Sequence, residues 1–316
     1  MTHYTDKLKS TVVNYVLGGN SSIEAARRFK IKNDRTVRKW VAKYRAAQNQ
    51  FKGGEPKILL WDVETSETVS AHFGMWNINV RPARVLLPSF MFTAAWKWYG
   101  QNKIESATLL DDKSRLKNNS FDLRSLYIDD YAVVSKLHAA LDQADAFVYH
   151  NGDQFDLKKF NARAIFHGLK PISPNKIKID TLKIARQNIK IESNSLDYLC
   201  DYFGIEGKMT TPKGMWENAL YLCPDAIKTM QKYNEYDLYP SMEKLFERLS
   251  PYIKNLNLNL FTNGYHCSNP TCGGYDLEFK GFKYTTATRR RELQCQDCGK
   301  FMLVKSSDRN AEVRPC

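Results

Sequence analysis

The chain has 316 residues, 43% hydrophobic and 26% charged, with a net charge of +13; such a composition excludes a disordered or low-complexity polymer. No run approaches the ~18 uncharged apolar residues of a membrane span, and residues 1–10 lack the apolar core of a secretory signal, so a cytoplasmic protein without a membrane partner is expected. The charge is uneven: residues 1–50 hold eleven Lys and Arg against three Asp and Glu, residues 51–250 twenty-six against twenty-five, and residues 251–316 ten against six. Basic ends around a neutral middle point to a polyanion held by its phosphates.

Residues 8–17 are periodic at helical spacing, and Gly18-Gly19-Asn20 interrupts them. Ser21 or Ser22 can cap a second helix with Glu24 in its first turn, where Ile23, Ala26 and Phe29 share a face. After a turn near residues 31–34, Val37, Trp40, Val41 and Tyr44 repeat at helical spacing over residues 35–45. A breaker-rich linker at residues 51–56 then opens a different kind of sequence.

Residues 57–61 form a nearly continuous apolar run, as expected of a central strand buried on both faces. Residues 69–80 and 85–99 read as two further strands, 131–144 as a helix, 146–150 as a short strand, 155–167 as a helix and 176–180 as a strand. Residues 195–203 and 224–249 read as helical. This order predicts an α/β domain with a mixed sheet over residues 57–250, between a small all-α domain at 1–50 and a small β module at 255–316.

Asp62 and Glu64 end the apolar strand and, at a period of two, project from one face. Two such carboxylates are costly there unless they bind a cation or are paired. Asp156 begins the helix that follows the 146–150 strand, where the helix dipole favours an acid and where α/β sheets bind ligands. Tyr233 and Asp237, four apart, lie on one helix face.

In this order, Asp62-x-Glu64, Asn151-x-x-x-Phe155-Asp156 and Tyr233-x-x-x-Asp237 resemble the three motifs of DEDDy-type 3′–5′ exonucleases. That family has a ribonuclease H-like fold, a mixed sheet with helices on both faces, and includes the proofreading domain of family B DNA polymerases. The opening Ile58 to Ser66, followed by Trp96-Lys97-Trp98-Tyr99-Gly100, is similar to standalone members frequent in bacteriophages, whose setting would be the host cytoplasm. The resemblance implies two Mg²⁺ or Mn²⁺ ions held by Asp62, Glu64, Asp156 and Asp237, with Asp62 bridging both. It also implies that Tyr233 positions or helps deprotonate the attacking water, and that Asn151 and Phe155 shape the pocket for the terminal nucleotide. Asp180 reads as structural, because the acidic quartet is complete without it.

Cys267-x4-Cys272 and Cys295-x2-Cys298, separated by 22 residues, supply four thiolates in two knuckles, which suits one structural Zn²⁺. The segment resembles a zinc ribbon, and Arg289-Arg290-Arg291 with Lys280 and Lys283 could add a phosphate-contacting stripe. Cys200, Cys223 and Cys316 have no partner at ligand spacing.

The second and third N-terminal helices resemble the helix-turn-helix of transposases and homeodomain-like proteins. In that arrangement Arg35, Thr36, Arg38, Lys39 and Lys43 face DNA while Trp40 packs inside. The resulting expectation is a DNA exonuclease, DNA more than RNA, with two DNA-gripping accessories. A ribonuclease or structure-selective nuclease on the same metals, and a non-catalytic DNA-binding or transposition-related protein, are the alternatives. The protein partners, if any, are not legible.

Overall fold

The structure, a computed structural model, describes residues 4, 6–17, 21–48, 56–74, 76, 78–117, 119, 126–206, 209–254, 266–284 and 289–308. Two compact units share the chain: Lys57–Leu249 forms one, and Met1–Pro56 together with Ser250–Cys316 forms the other.

In the second of these, α1 (Asp6–Leu17), α2 (Ser22–Arg28) and α3 (Asp34–Gln48) enclose a core of Val12, Val13, Ala25, Ala26, Ile31, Val37 and Val41. Ser21 caps α2 in a reciprocal capping box with Glu24, which satisfies two otherwise orphaned backbone donors. Trp40 packs inward, edge-on to Tyr4 at 5.1 Å. Ile23, expected on the apolar face of α2, is exposed, and Ala25 takes the core position instead.

The larger unit opens with β1 (Ile58–Thr65), then β2 (Val69–Ser70), β3 (Val85–Leu87), β4 (Met91–Trp98), β5 (Ile104–Thr108) and the single turn α4 (Lys113–Leu116). After these come α5 (Tyr131–Gln143), β6 (Ala146–Tyr149), α6 (Asp156–Phe166), β7 (Ile177–Asp180) and α7 (Thr181–Asn188). It closes with α8 (Leu196–Phe203), α9 (Met215–Leu220), α10 (Pro224–Tyr236) and α11 (Glu243–Leu249). The main sheet has the order β5-β4-β1-β6-β7; β5 is antiparallel to β4 and β4 to β1, whereas β6 and β7 run parallel to β1. It is the mixed α/β sheet that the sequence predicts.

Alternation along β1 divides its labour. Leu59, Trp61 and Val63 enter the main core, where Trp61 meets Phe147, Tyr149 and Phe160 edge-on at 6.3, 5.8 and 6.2 Å. Phe160 belongs to α6, so that helix covers this face. Asp62 and Glu64 point the other way, opposite Ala95 and Thr93 of β4, and there α10 covers the sheet through Asn234 on Asp62 and Glu235 on Ser106.

The observed elements depart from the sequence reading in four places. Of the described residues between 69 and 80 only Val69–Ser70 is strand, paired with β3 in a separate two-stranded ribbon, because the aromatic side chains beyond it face solvent. Residues 85–99 break into β3 and β4 around Pro88, which has no N–H for a ladder. The edge strand β5 was not expected. The helical run over 224–249 is interrupted at Tyr239, whose extended φ of −143° and ψ of 126° precede Pro240, as a residue before proline prefers.

In the smaller unit, β8 (Leu277–Tyr284), β9 (Arg289–Cys295) and β10 (Phe301–Asp308) form an antiparallel sheet in the order β10-β9-β8. No helix among the described residues is long and apolar enough to cross a membrane.

One buried polar node ties the larger unit together. The carboxylate of Asp130, fully buried, accepts from Arg163 at 2.8 and 2.7 Å, from His167 at 2.5 Å and from the Met91 amide at 2.9 Å. Burial opposes its charge, but His167 and Arg163 hold it below the usual carboxylate range. Removing one partner of such a node strands the others, so Asp130→Ala is expected to lower the unfolding free energy by about 3–5 kcal/mol. Urea titration followed by circular dichroism checks this, and a loss below about 1 kcal/mol would refute a central role.

Candidate functional site

Asp62, Glu64 and Asp237 each offer a carboxylate oxygen, and these lie within 4.8 Å of one another. The first two come from one face of β1 and the third follows the last turn of α10. Asp156, at the start of α6, borders this group without joining it. Its carboxyl is buried, and its own amide and that of Val63 favour its charged form, just past the point where β1 and β6 cease to pair at Leu60–Val148. Of the four expected carboxylates, the structure thus brings three to one centre and sets the fourth at its edge.

The electrostatics follow from that crowding. Burial, then the charges of Asp156, Glu64 and Asp237, hold the Asp62 carboxyl well above the usual range. Burial, then Asp237 and Asp156, pushes Glu64 up to about 8, and burial with Asp180 pushes Asp156 up to about 7. Oxygen donors that repel one another in this way fit a hard divalent cation, whose charge reverses the penalty.

The surrounding residues hold the carboxylates in place. Asn234 is fully buried on α10; its Nδ2 donates to Asp62 Oδ2 at 2.6 Å, and its Oδ1 has no partner among the described residues. Tyr233 hydrogen-bonds Asp237 and packs edge-on to Trp216 at 6.1 Å. Burial, with Asp237 and Glu64 adding, holds its phenol above the usual range, so it stays protonated at neutral pH.

The loop between β6 and α6 is built as tightly. Asn151 takes a left-handed φ of 64°, and its N–H donates to Asp180 Oδ1 at 3.0 Å. The same oxygen caps α7 through the amides of Leu182 at 3.1 Å and Lys183 at 3.4 Å. Gly152 lies against Tyr149, where a Cβ would fall 2.3 Å from the ring, so no other residue fits there. Phe155 is exposed beside Asp156, with the Lys159 ammonium 5.6 Å over its ring.

In the smaller unit, Cys267, Cys272, Cys295 and Cys298 gather their sulfurs within 4.8 Å. Cys267 and Cys298 are 3.5 Å apart, and Cys272 and Cys295 3.7 Å. A tetrahedron with Zn–S of about 2.3 Å has edges of about 3.8 Å, so the set fits zinc and is far from disulfide length. Burial pushes the Cys267 and Cys272 thiols up, to about 12 at Cys272, so joint ionisation needs a cation. Cys200 and Cys223 stand outside this group as free thiols, and Cys316 lies outside the described residues.

On α3, Lys39 is exposed and Thr36 is bound to Asn33, whereas the side chain of Lys43 lies outside the described residues. Arg35 pairs with Asp276 of the cysteine module, and Arg38 pairs with Asp34 at 2.9 Å and donates to the Leu277 carbonyl at 3.0 Å. Arg35 keeps 53% of its side chain exposed. Sequence reasoning missed Asn234 and Asp276, and assigned Asp180 only a structural part; each acts through a partner more than 25 residues away.

Residues 9–47 match the model of a family described as a helix-turn-helix domain. No curated protein matches. Among solved structures, the family B DNA polymerase from the hyperthermophilic archaeon Pyrobaculum calidifontis is similar at 16% identity and a TM-score of 0.44. The match covers 63% of this chain and 25% of the polymerase.

The raised carboxyls give a pH signature in the metal-free chain. Between about pH 4 and about pH 8 the folded state holds protons at Glu64 and Asp156 that the unfolded state has released, so stability falls as pH rises through this window. Calorimetry is expected to show a lower melting temperature near the top of that window than near its base, with a smaller drop in Glu64→Gln. A divalent cation should restore more stability at the upper pH; equal restoration at both ends would count against the centre.

Proposed function

We propose that this chain is a 3′–5′ exonuclease that hydrolyses phosphodiester bonds of DNA and releases nucleoside monophosphates. The observation that carries the reading is the convergence of Asp62, Glu64 and Asp237 within 4.8 Å, with Tyr233 bonded to Asp237 and Asp156 alongside. The order of the three motifs supports it, as does the helix-turn-helix match over residues 9–47.

On this reading Asp62, Glu64, Asp156 and Asp237 would hold two Mg²⁺ or Mn²⁺ ions, which would supply an activated water and a counter-charge for the departing 3′ oxygen. The chain's own residues do the rest. Asn234 fixes one oxygen of Asp62 and leaves the other to serve as a ligand. Tyr233, bonded to Asp237, orients the attacking water. Asn151 and Phe155 flank the place of the terminal nucleotide. Lys39 and Lys43, with the free part of Arg35 and Arg38, contact phosphates, since a guanidinium can hold a carboxylate and still present donors. The domain limits 1–50, 57–250 and 255–316 belong to the same proposal, the last being a ribbon closed by one structural Zn²⁺.

The test uses strands labelled at either end, as single-stranded DNA, duplex DNA and RNA, with Mg²⁺ or EDTA. The expected product is a 3′-terminal mononucleotide, formed only with the metal. Asp62→Ala and Asp237→Ala should each cut the rate by more than about 100-fold, and Asn234→Ala, an outer partner, by about 10- to 100-fold. Internal cuts, preference for RNA, or full activity in Asp62→Ala would sink the reading.

Zinc is tested separately. Metal analysis is expected to find one zinc per chain, lost in Cys267→Ser and Cys295→Ser along with the melting transition of the smaller unit. A full zinc complement in both variants would refute the site.

A further inference from the structure

The described residues between 71 and 84, here called the arm, follow β2 and lead into β3, a short way along the chain from the carboxylates of β1. Ser66, two residues past Glu64, donates its N–H to the Phe90 carbonyl at 2.9 Å, and the Phe90 N–H donates back to Ser66 Oγ at 3.1 Å. Above that clasp, Val69 pairs with Leu87 and Ser70 with Val85, and the buried Leu87 anchors this two-stranded base in the core. The Ala71 N–H closes the base on the Arg84 carbonyl at 2.9 Å.

What the arm displays is anomalous for a folded domain. Phe73 is 96% exposed and Trp76 86%, and Ile78 and Leu86 are partly exposed beside them. Large aromatics left this bare mark an interaction surface. The chemistry of the partner can be read from the charges. Residues 68–104 contain no Asp or Glu, while Arg81 and Arg84 are exposed on the arm, and the Arg84 guanidinium stacks 5.0 Å above the Phe73 ring. Exposed aromatic faces interleaved with arginines, with no acid among them, suit unpaired bases joined by phosphates. The carboxylate centre repels a polyanion, so a strand end brought to it needs an affinity that comes from elsewhere.

We propose that Phe73 and Trp76 stack on the bases of a single-stranded DNA 3′ end, with Arg81 and Arg84 on its phosphates. That the bound end is the one to be cut rests on the hydrolytic reading above; the stacking itself does not.

The test is equilibrium binding of a fluorescein-labelled DNA strand of about 15 nucleotides, within the span such surfaces cover, to the full chain without divalent ions or chelator. Phe73→Ala and Trp76→Ala should each weaken binding by about 5- to 100-fold. A 2-aminopurine at the 3′ end should be quenched by the unaltered chain and not by either variant, while one at the 5′ end is unaffected. Arg81→Ala with Arg84→Ala should reduce the slope of log affinity against log salt by about 1.4. The proposal is overturned if the Phe73→Ala/Trp76→Ala double variant binds the strand as the unaltered chain does. It is also overturned if that variant loses duplex binding equally, if only an RNA strand is affected, or if the change is confined to self-association. Should the double variant melt early, the salt slope decides, and an unchanged slope overturns the proposal. A strand that is stacked but never cut with Mg²⁺ sinks the hydrolytic reading and leaves this one standing.

Discussion

Like charges that must share a small space set the terms for the larger unit. Carboxylate oxygens of three residues fall within 4.8 Å and a fourth carboxylate lies at their edge, by a strand in which residues 58–61 and 63 are buried. Left alone, such groups either take up protons or push apart. The fold resists the second outcome and therefore leaves the first, or a cation, as the only relief. The crowding of these carboxyls is in this sense a property of the packing.

Each restraint on the carboxylates is itself a constraint elsewhere. Asn234 reaches Asp62 because α10 lies over the β4–β5 side of the sheet, where Ser106 takes Glu235. Asp156 reaches the Val63 amide because the loop before it turns through Asn151 and a glycine that nothing larger could replace. Asp180 secures that turn and the start of α7 with a single oxygen. Little in this shell can move singly, which is the condition for reproducible placement of ligands.

Legibility in the sequence tracked the range of the interaction. Periodicity exposed β1 and the N-terminal helices, and the capping box at Ser21 and Glu24 is local by nature. The acidic positions were visible because a charge at the end of an apolar strand is conspicuous. β5 was missed because Glu105 and Ser106 make Ile104–Thr108 look like loop; the strand exists because β4 supplies a ladder. The stretch after Val69 looked like strand for the opposite reason: its apolar residues carry no information about whether a partner lies beside them. Asn234 is an ordinary polar residue in a helix until tertiary packing buries it, and Asp276 gains meaning only from Arg35.

That last pairing has a consequence in time. Arg35 and Asp276 are 241 residues apart, so on a translating ribosome α3 emerges roughly 10–50 s before the segment that receives it. For that interval the three helices depend on their own small core of Val12, Val13, Ala25, Ala26, Ile31, Val37 and Val41, a size at which isolated domains are marginal. The whole of the larger unit, Lys57–Leu249, is synthesised in between. The basic helices are thus made well before the segment that supplies Arg35 with Asp276 and Arg38 with the Leu277 carbonyl.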